Sequence, residues 1–149
     1  MKTATKSMKV YEVDRTKWRR GFGAAGSKLW VESSQCGCCL GLLGLQCGYT
    51  KEQLEGKAYP SSVVQTQVAE ETLPNLFPLG LFIPDTDNEE NKTATLMMAV
   101  NDAPVGTFTP AYLLTPPRRM GIKIRSEKHR ERKLRELAIS IGFRLKFVK

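Results

Sequence analysis

Only one histidine, His129, occurs in the 149 residues, so any imidazole chemistry must pass through that side chain. Long hydrophobic runs are missing too. The longest, Leu40–Leu45, falls far short of the roughly 20 apolar residues that span a bilayer. The basic start, Met1-Lys-Thr-Ala-Thr-Lys-Ser, is not followed by the apolar core of a secretory leader, which sets the expectation of a cytoplasmic protein without a membrane partner. No phosphate-binding loop and no zinc-finger spacing occurs. Gly21-Phe-Gly-Ala-Ala-Gly26 spells the dinucleotide fingerprint, but no strand–loop–helix context surrounds it. Repeats and low-complexity tracts are absent as well. No cofactor and no resident metal are expected.

What is present is ordinary globular material, 41% hydrophobic and 26% charged, at a length typical of one domain. The expected organisation is a flexible stretch over residues 1–7 and a single domain over 8–149, with a proline-rich loop at 103–117. The formal charge of +8 is unevenly spread. Residues 1–20 hold seven bases and two acids, residues 51–100 three bases and eight acids, and residues 101–149 twelve bases and four acids. A basic head and a basic tail around an acidic middle suggest either a polyanionic or acidic partner, or internal neutralisation of the tail by Asp85, Asp87, Glu89 and Glu90.

Hydrophobic periodicity sketches an α+β fold. Met8–Val13 reads as a strand, and Leu29-Trp-Val31 as a second one forming a hairpin with it or lying nearby. Cys39, Leu40, Leu42, Leu43, Leu45 and Cys47 cover every face of a helix, which marks that helix as buried. Gly41 and Gly44 weaken it, so each calls for the close approach of a neighbour. Gly48 suits a left-handed helix end, and Thr50-Lys-Glu-Gln53 matches a capping box opening a short helix closed by Gly56. Residues 57–88, with prolines at 60, 74, 78 and 84, read as loop that covers the core. Thr93–Val100 reads as a helix stopped by Asn101-Asp102. In the tail, Leu134, Leu137, Ala138 and Ile141 form one apolar stripe, Ser126 is placed to cap the start, and Gly142 ends the helix. Phe143, Leu145 and Phe147 then alternate with Arg144 and Lys146, as in a strand with one buried face. The last strand is expected to join the first in a small sheet, packed on the Cys/Leu helix and the tail helix.

Two groups of residues invite a chemical reading. The four cysteines are spaced C-x-C-C-x7-C over Cys36, Cys38, Cys39 and Cys47, unlike the paired spacing of structural zinc. Cys39 and Cys47 lie about 12 Å apart if their segment is helical, too far to share one ion. A strained disulfide among Cys36, Cys38 and Cys39 is disfavoured in a reducing compartment, which leaves burial as small hydrophobes as the expected role. A nucleophilic Cys38 or Cys39 at a helix start, with His129 as base and Asp102 as orienter, is the enzyme alternative. The second group is basic: Arg15, Lys17, Trp18, Arg19 and Arg20 in the head, and Arg118, Arg119, Lys123, Arg125, Lys128, Arg130, Arg132 and Lys133 in the tail. Arginine forks suit phosphates and carboxylates, and Trp18 or Phe22 can stack on a base, unless Trp18 is a core anchor.

Asp14-Arg-Thr-Lys-Trp-Arg-Arg-Gly21, Cys38-Cys-Leu-Gly41 with Cys47-Gly48, Asn101-Asp102 and the final helix plus Phe-Val strand together resemble a set of short, largely uncharacterised bacteriophage and mobile-element proteins. These share a D-R-x-x-W-x-R-G segment, a C-C-L-G-x5-C-G segment, an N-D pair and that ending. The tail here is more basic than in that group, and residues 103–117 look like an insertion. The resemblance implies a viral accessory role and carries no reaction or cofactor. The resulting expectation is a non-enzymatic binding protein, an inhibitor of a host or anti-phage defence factor, acting stoichiometrically through a basic surface. Nucleic-acid or nucleotide binding is the alternative, and cysteine-dependent catalysis the third reading.

Overall fold

Alternation of apolar and polar side chains sets the sheet. β1 (Lys9–Asp14) buries Tyr11 and Val13, and β6 (Phe143–Val148) buries Phe143, Leu145 and Phe147 while exposing Arg144 and Lys146. The two strands pair in parallel, Lys9 opposite Phe143 through Asp14 opposite Val148. The first strand therefore meets the last, as the sequence leads one to expect. The computed structural model describes residues 7–21, 28–64, 67–68, 71–72, 75–82, 92–106, 108–109 and 122–149. Between the paired strands run α1 (Cys39–Cys47), α2 (Lys51–Leu54), α3 (Pro60–Val64), the short pairs β2 (Gln67–Val68) with β3 (Glu71–Thr72) and β4 (Phe108–Thr109) with β5 (Ile122–Lys123), α4 (Lys92–Asp102) and α5 (Glu127–Ser140). The α+β class and the Cys/Leu and tail helices are as expected.

α1 is the centre of the core, with Cys39 through Gly44 all buried. It packs beside β1, while α5 lies against β6 and α4. A side chain on Gly41 would fall on the Leu29 carbonyl oxygen, so the close approach inferred from the sequence comes from Leu29. At Gly44 the neighbour is the Phe77 ring. Gly48 ends α1 at φ 112°. The Thr50 capping box is formed, Thr50 Oγ1 accepting from Gln53 N at 3.2 Å and Gln53 Oε1 accepting from Thr50 N at 2.9 Å. Ser126 caps α5 by accepting from His129 N at 3.1 Å. Each fully buried leucine or phenylalanine contributes roughly 1.5–3 kcal/mol of burial. Leu29, Leu40, Leu43, Leu54, Leu81 and Leu134 are all within 1% of complete burial.

Two expectations need correction. Leu29–Val31 forms no hairpin with β1: Trp30 bridges Glu55 and Val31 bridges Cys36, because β1 already has β6 on one side and α1 on the other. Residues 57–88 are not loop throughout, since α3 and the β2–β3 pair lie within them. The covering role holds for Phe77 and Leu81, which are buried. The acidic middle residues Asp85, Asp87, Glu89 and Glu90, residues 1–6 of the stretch expected to be flexible, Phe22, and residues 107 and 110–117 of the expected proline-rich loop lie outside the described residues; that stretch is not loop throughout, since Phe108–Thr109 within it forms β4. Among the described residues, no helix is long and apolar enough to cross a membrane.

Candidate functional site

The head segment is held by its own polar groups before it meets anything else. Asp14 accepts from Thr16 N at 2.9 Å and from Thr16 Oγ1 at 2.6 Å, which tightens the turn after β1. Those bonds hold the Asp14 carboxyl below its ordinary value. Trp18 then lands in the core, 4% exposed and tilted against Phe147 with ring centroids 4.8 Å apart. Its indole N–H donates to Asn101 Oδ1 at 2.7 Å.

Asn101 is the hub. Its Oδ1 also accepts from Cys39 N at 3.1 Å, satisfying a first-turn amide of α1 that Cys38 does not cap. Its Nδ2 donates to Arg19 O at 3.0 Å and to Asp102 Oδ1 at 3.0 Å. Its carbonyl accepts from Gly21 N at 2.8 Å and from Arg130 Nη1 at 2.8 Å. Arg130 is 0% exposed and also donates to Val100 O at 2.6 Å, so a buried guanidinium closes the carbonyl end of α4.

The carboxylates of α5 collect the remaining arginines. Glu127 bonds Arg130 Nε at 3.1 Å and Arg20 Nε at 2.8 Å. Arg20 in turn lies over the Trp18 ring at 4.3 Å and donates to Trp18 O at 2.9 Å. Burial pushes the Glu127 carboxyl up, but the hydrogen bonds from Arg130 and Arg20 outweigh it and the net shift is downward. Glu131 takes Arg15 in a two-bond fork, Nε at 2.6 Å and Nη2 at 2.9 Å, and Arg135 Nη2 at 3.4 Å.

The basic residues read from the sequence therefore divide in two. Arg15, Arg20 and Arg130 are committed within the fold, Trp18 is a core anchor whose ring is not free to stack, and Arg19 is half-buried beside them. Lys17, Lys123, Arg125 and Lys128 are exposed, as are Arg132 and Lys133 (side chains 66% and 49%), each of these two only at 4.0 Å from Glu136. Arg118 and Arg119 lie outside the described residues. Lys128, Arg132 and Lys133 project from the solvent side of α5, and Lys123 and Arg125 lead into it. His129 reports on this end: partial burial and then the cations of Arg132, Lys133 and Arg125 hold it below its ordinary value, and its Nδ1 accepts from Arg125 N at 3.0 Å.

Cys38, Cys39 and Cys47 are placed for packing, whereas Cys36, expected to be buried, is half-buried and its thiol donates to Ser34 O at 3.1 Å. All four are free thiols. Cys38 and Cys39 are buried, Cys38 with Sγ 3.7 Å from Met98 Sδ, and burial pushes the Cys38 thiol up to about 12 and Cys39 well up. Such thiols stay protonated at neutral pH and are poor nucleophiles. Among the described residues, no hydrogen bond joins His129 to a thiol or to Asp102, and no cluster of three or more His, Cys, Asp or Glu side chains is placed to hold a metal ion. Sequence reasoning recognised the N-D pair without its role; Asn101 as hub and Glu127 and Glu131 as acceptors emerge only from the fold. Compared with known proteins, the chain matches no family model, no curated protein and no solved structure.

Proposed function

We propose that the protein is a phage-type accessory binding protein that inhibits a host or anti-phage defence factor by stoichiometric attachment to an acidic surface. The observation that carries this reading is the exposed cation group at the start of α5. Positive charge at a helix N-terminus opposes the helix dipole, so Lys128 and the preceding Lys123 and Arg125 gain nothing from the dipole of α5, and Arg132 in the second turn has only Glu136 at 4.0 Å. Glu127 and Glu131, the acids nearest to them, are engaged with Arg20, Arg130 and Arg15. The outward charge is left uncompensated until Glu136, and a polyanion or an acidic protein face is the natural complement. The viral setting rests on the resemblance of the Asp14–Gly21, Cys38–Gly48 and Asn101-Asp102 segments to phage and mobile-element proteins.

Nucleic acid is the second reading, favoured by the same cations, but with Trp18 in the core it would rest on phosphate contacts. Pull-down from bacterial lysate with and without nuclease separates the two. Survival of an acidic protein partner after nuclease supports the inhibitor reading; loss of all partners selects nucleic acid.

A further inference from the structure

The two edges of the β1–β6 sheet are treated differently. On β1, Gln46 reaches across from α1, its Oε1 accepting from Glu12 N at 2.8 Å and its Nε2 donating to Glu12 O at 2.5 Å. Glu12 thus turns its backbone away from β6, and by alternation Tyr11 and Val13 turn theirs toward it. Arg15 N donates to Val148 O at 3.0 Å, which fixes the same parity on β6: its even-numbered residues face β1. The N–H and C=O groups of Phe143, Leu145 and Phe147 therefore point to the outer edge. Among the described residues none of them has a hydrogen-bond partner, and β6 pairs with no strand other than β1. One edge is closed by a side-chain amide; the other, among the described residues, has no hydrogen-bonding neighbour.

The side chains beside that edge decide what fits it. Arg144 and Lys146 occupy the solvent face of β6, with Lys149 following. Lys146 already pairs across the strands with Glu12 at 3.9 Å, so carboxylates are accommodated opposite this row. Arg144 has no carboxylate partner among the described residues. A second copy of the chain is the wrong occupant. Any antiparallel β6–β6 register that matches more than one outward-facing residue sets Arg144 or Lys146 of one copy against Arg144 or Lys146 of the other, and like charges directly opposite repel. Charged residues on an edge also deter apolar strands. An extended segment with acids at alternate positions meets both demands, its backbone completing the ladder and its carboxylates facing Arg144 and Lys146.

We infer that β6 accepts an acidic extended segment of a partner protein as an added strand, by main-chain pairing to Leu145 and Phe147. The inference rests on the reading of the protein as a binder of acidic proteins and names where and how such a partner docks. The test uses the full chain, isotope-labelled, and an eight-residue peptide alternating valine and glutamate, with amide exchange read residue by residue. In the free protein the Leu145 and Phe147 amides are expected to exchange faster than Lys146 and Val148, whose amides face β1. Peptide is expected to slow Leu145 and Phe147 at least tenfold, while a valine–lysine peptide does not. R144E with K146E is expected to weaken the acidic peptide at least tenfold with the fold intact, whereas K28E, at an exposed lysine outside both cation groups, leaves it bound. Failure to bind, binding that leaves both amides unprotected, or protection already present in the free protein would each overturn strand addition. Protection that grows with protein concentration would overturn it in favour of a second copy. Nuclease-sensitive capture in lysate alongside intact peptide protection would count against the proposed function alone.

Discussion

Asn101 shows how much one amide can hold. It accepts from the Trp18 indole and the Cys39 amide, donates to Arg19 O, and offers its own carbonyl to Gly21 and Arg130. Truncating it strands at least one buried donor on the head segment and one on α1, and each unsatisfied buried group costs about 1–3 kcal/mol. N101A is therefore expected to lose on the order of 3 kcal/mol in urea unfolding, with Trp18 fluorescence shifting as its partner disappears. Gly41 makes the complementary case, in which the absence of an atom matters. A methyl group there meets the Leu29 backbone, which has no flexible end to yield. G41A is expected to cost roughly 3 kcal/mol or more, beyond the ordinary range of overpacking, and more than G56A, where nothing lies within 4 Å and only the φ of 69° opposes a side chain, at roughly 1–2 kcal/mol.

At the scale of elements, α5 carries two opposite assignments on its two faces. Its inner side presents Glu127 and Glu131 to arginines from the head and from its own first turn, joining strand, turn and helix ends that sequence separates by as many as 116 residues. Its outer side presents Lys128, Arg132 and Lys133 to solvent. The inner face predicts acid sensitivity. Glu127 has its carboxyl lowered from 4.5, and Asp14 and Glu32 are lowered as well by hydrogen bonds from Thr16, and from Trp30 and Gln35. Groups lowered in the folded state bind fewer protons than in the unfolded chain, so their stabilisation is complete above the ordinary carboxylate range and is lost as pH falls through it. Thermal unfolding is expected to drop steeply as pH falls below about 4.5, and E127Q is expected to flatten that drop while lowering stability at neutral pH. The outer face predicts the reverse pattern. K128E with R132E is expected to leave stability within about 1 kcal/mol of the parent, since both sites are exposed and the acid gained at position 128 near the helix start partly offsets the loss of the 4.0 Å Arg132–Glu136 pair. The same pair is expected to weaken partner binding at least tenfold.

For the whole molecule, a charge of +8 overstates what is available for contact. Arg15, Arg20 and Arg130 spend their charge on Glu131 and Glu127, and Lys146 leans toward Glu12. Among the described residues, exposed groups on α5, the segment leading into it and β6 contribute to the remaining field, together with Lys9, Lys17, Lys28 and Lys51. A contact made through them weakens with salt, steeply for a nucleic acid, where counterions are released, and more gently for an acidic protein. Affinity measured from low to high salt is expected to fall in either case; a flat profile would remove the basic surface from the mechanism. The motif segments that suggested a phage accessory protein turn out to share one physical task. Asp14, Arg15, Trp18, Arg20, Gly21, Cys39 and Asn101 build the polar junction between β1, α1, α4 and α5, and the exposed cations of α5 and β6 lie elsewhere.

Local patterns were readable from sequence because they depend on neighbours within one or two turns. The apolar stripe of α5, the alternation in β6, the Thr50 and Ser126 caps and the glycine at the end of α1 all required only spacing and residue type. The pairing of the first strand with the last was also legible, since each strand has a single apolar face and needs a partner. Whether an arginine is a contact group or a tie depends instead on a carboxylate far along the chain. Nothing within reach of Arg15 or Arg20 in sequence announces Glu131 or Glu127. The same holds for Trp18, whose indole is fixed by an asparagine 83 residues away, and for the edge of β6, which among the described residues is left without a strand neighbour other than β1. Spacing determines which face an element buries; only the folded chain determines which charges find their opposites and which stay in solvent.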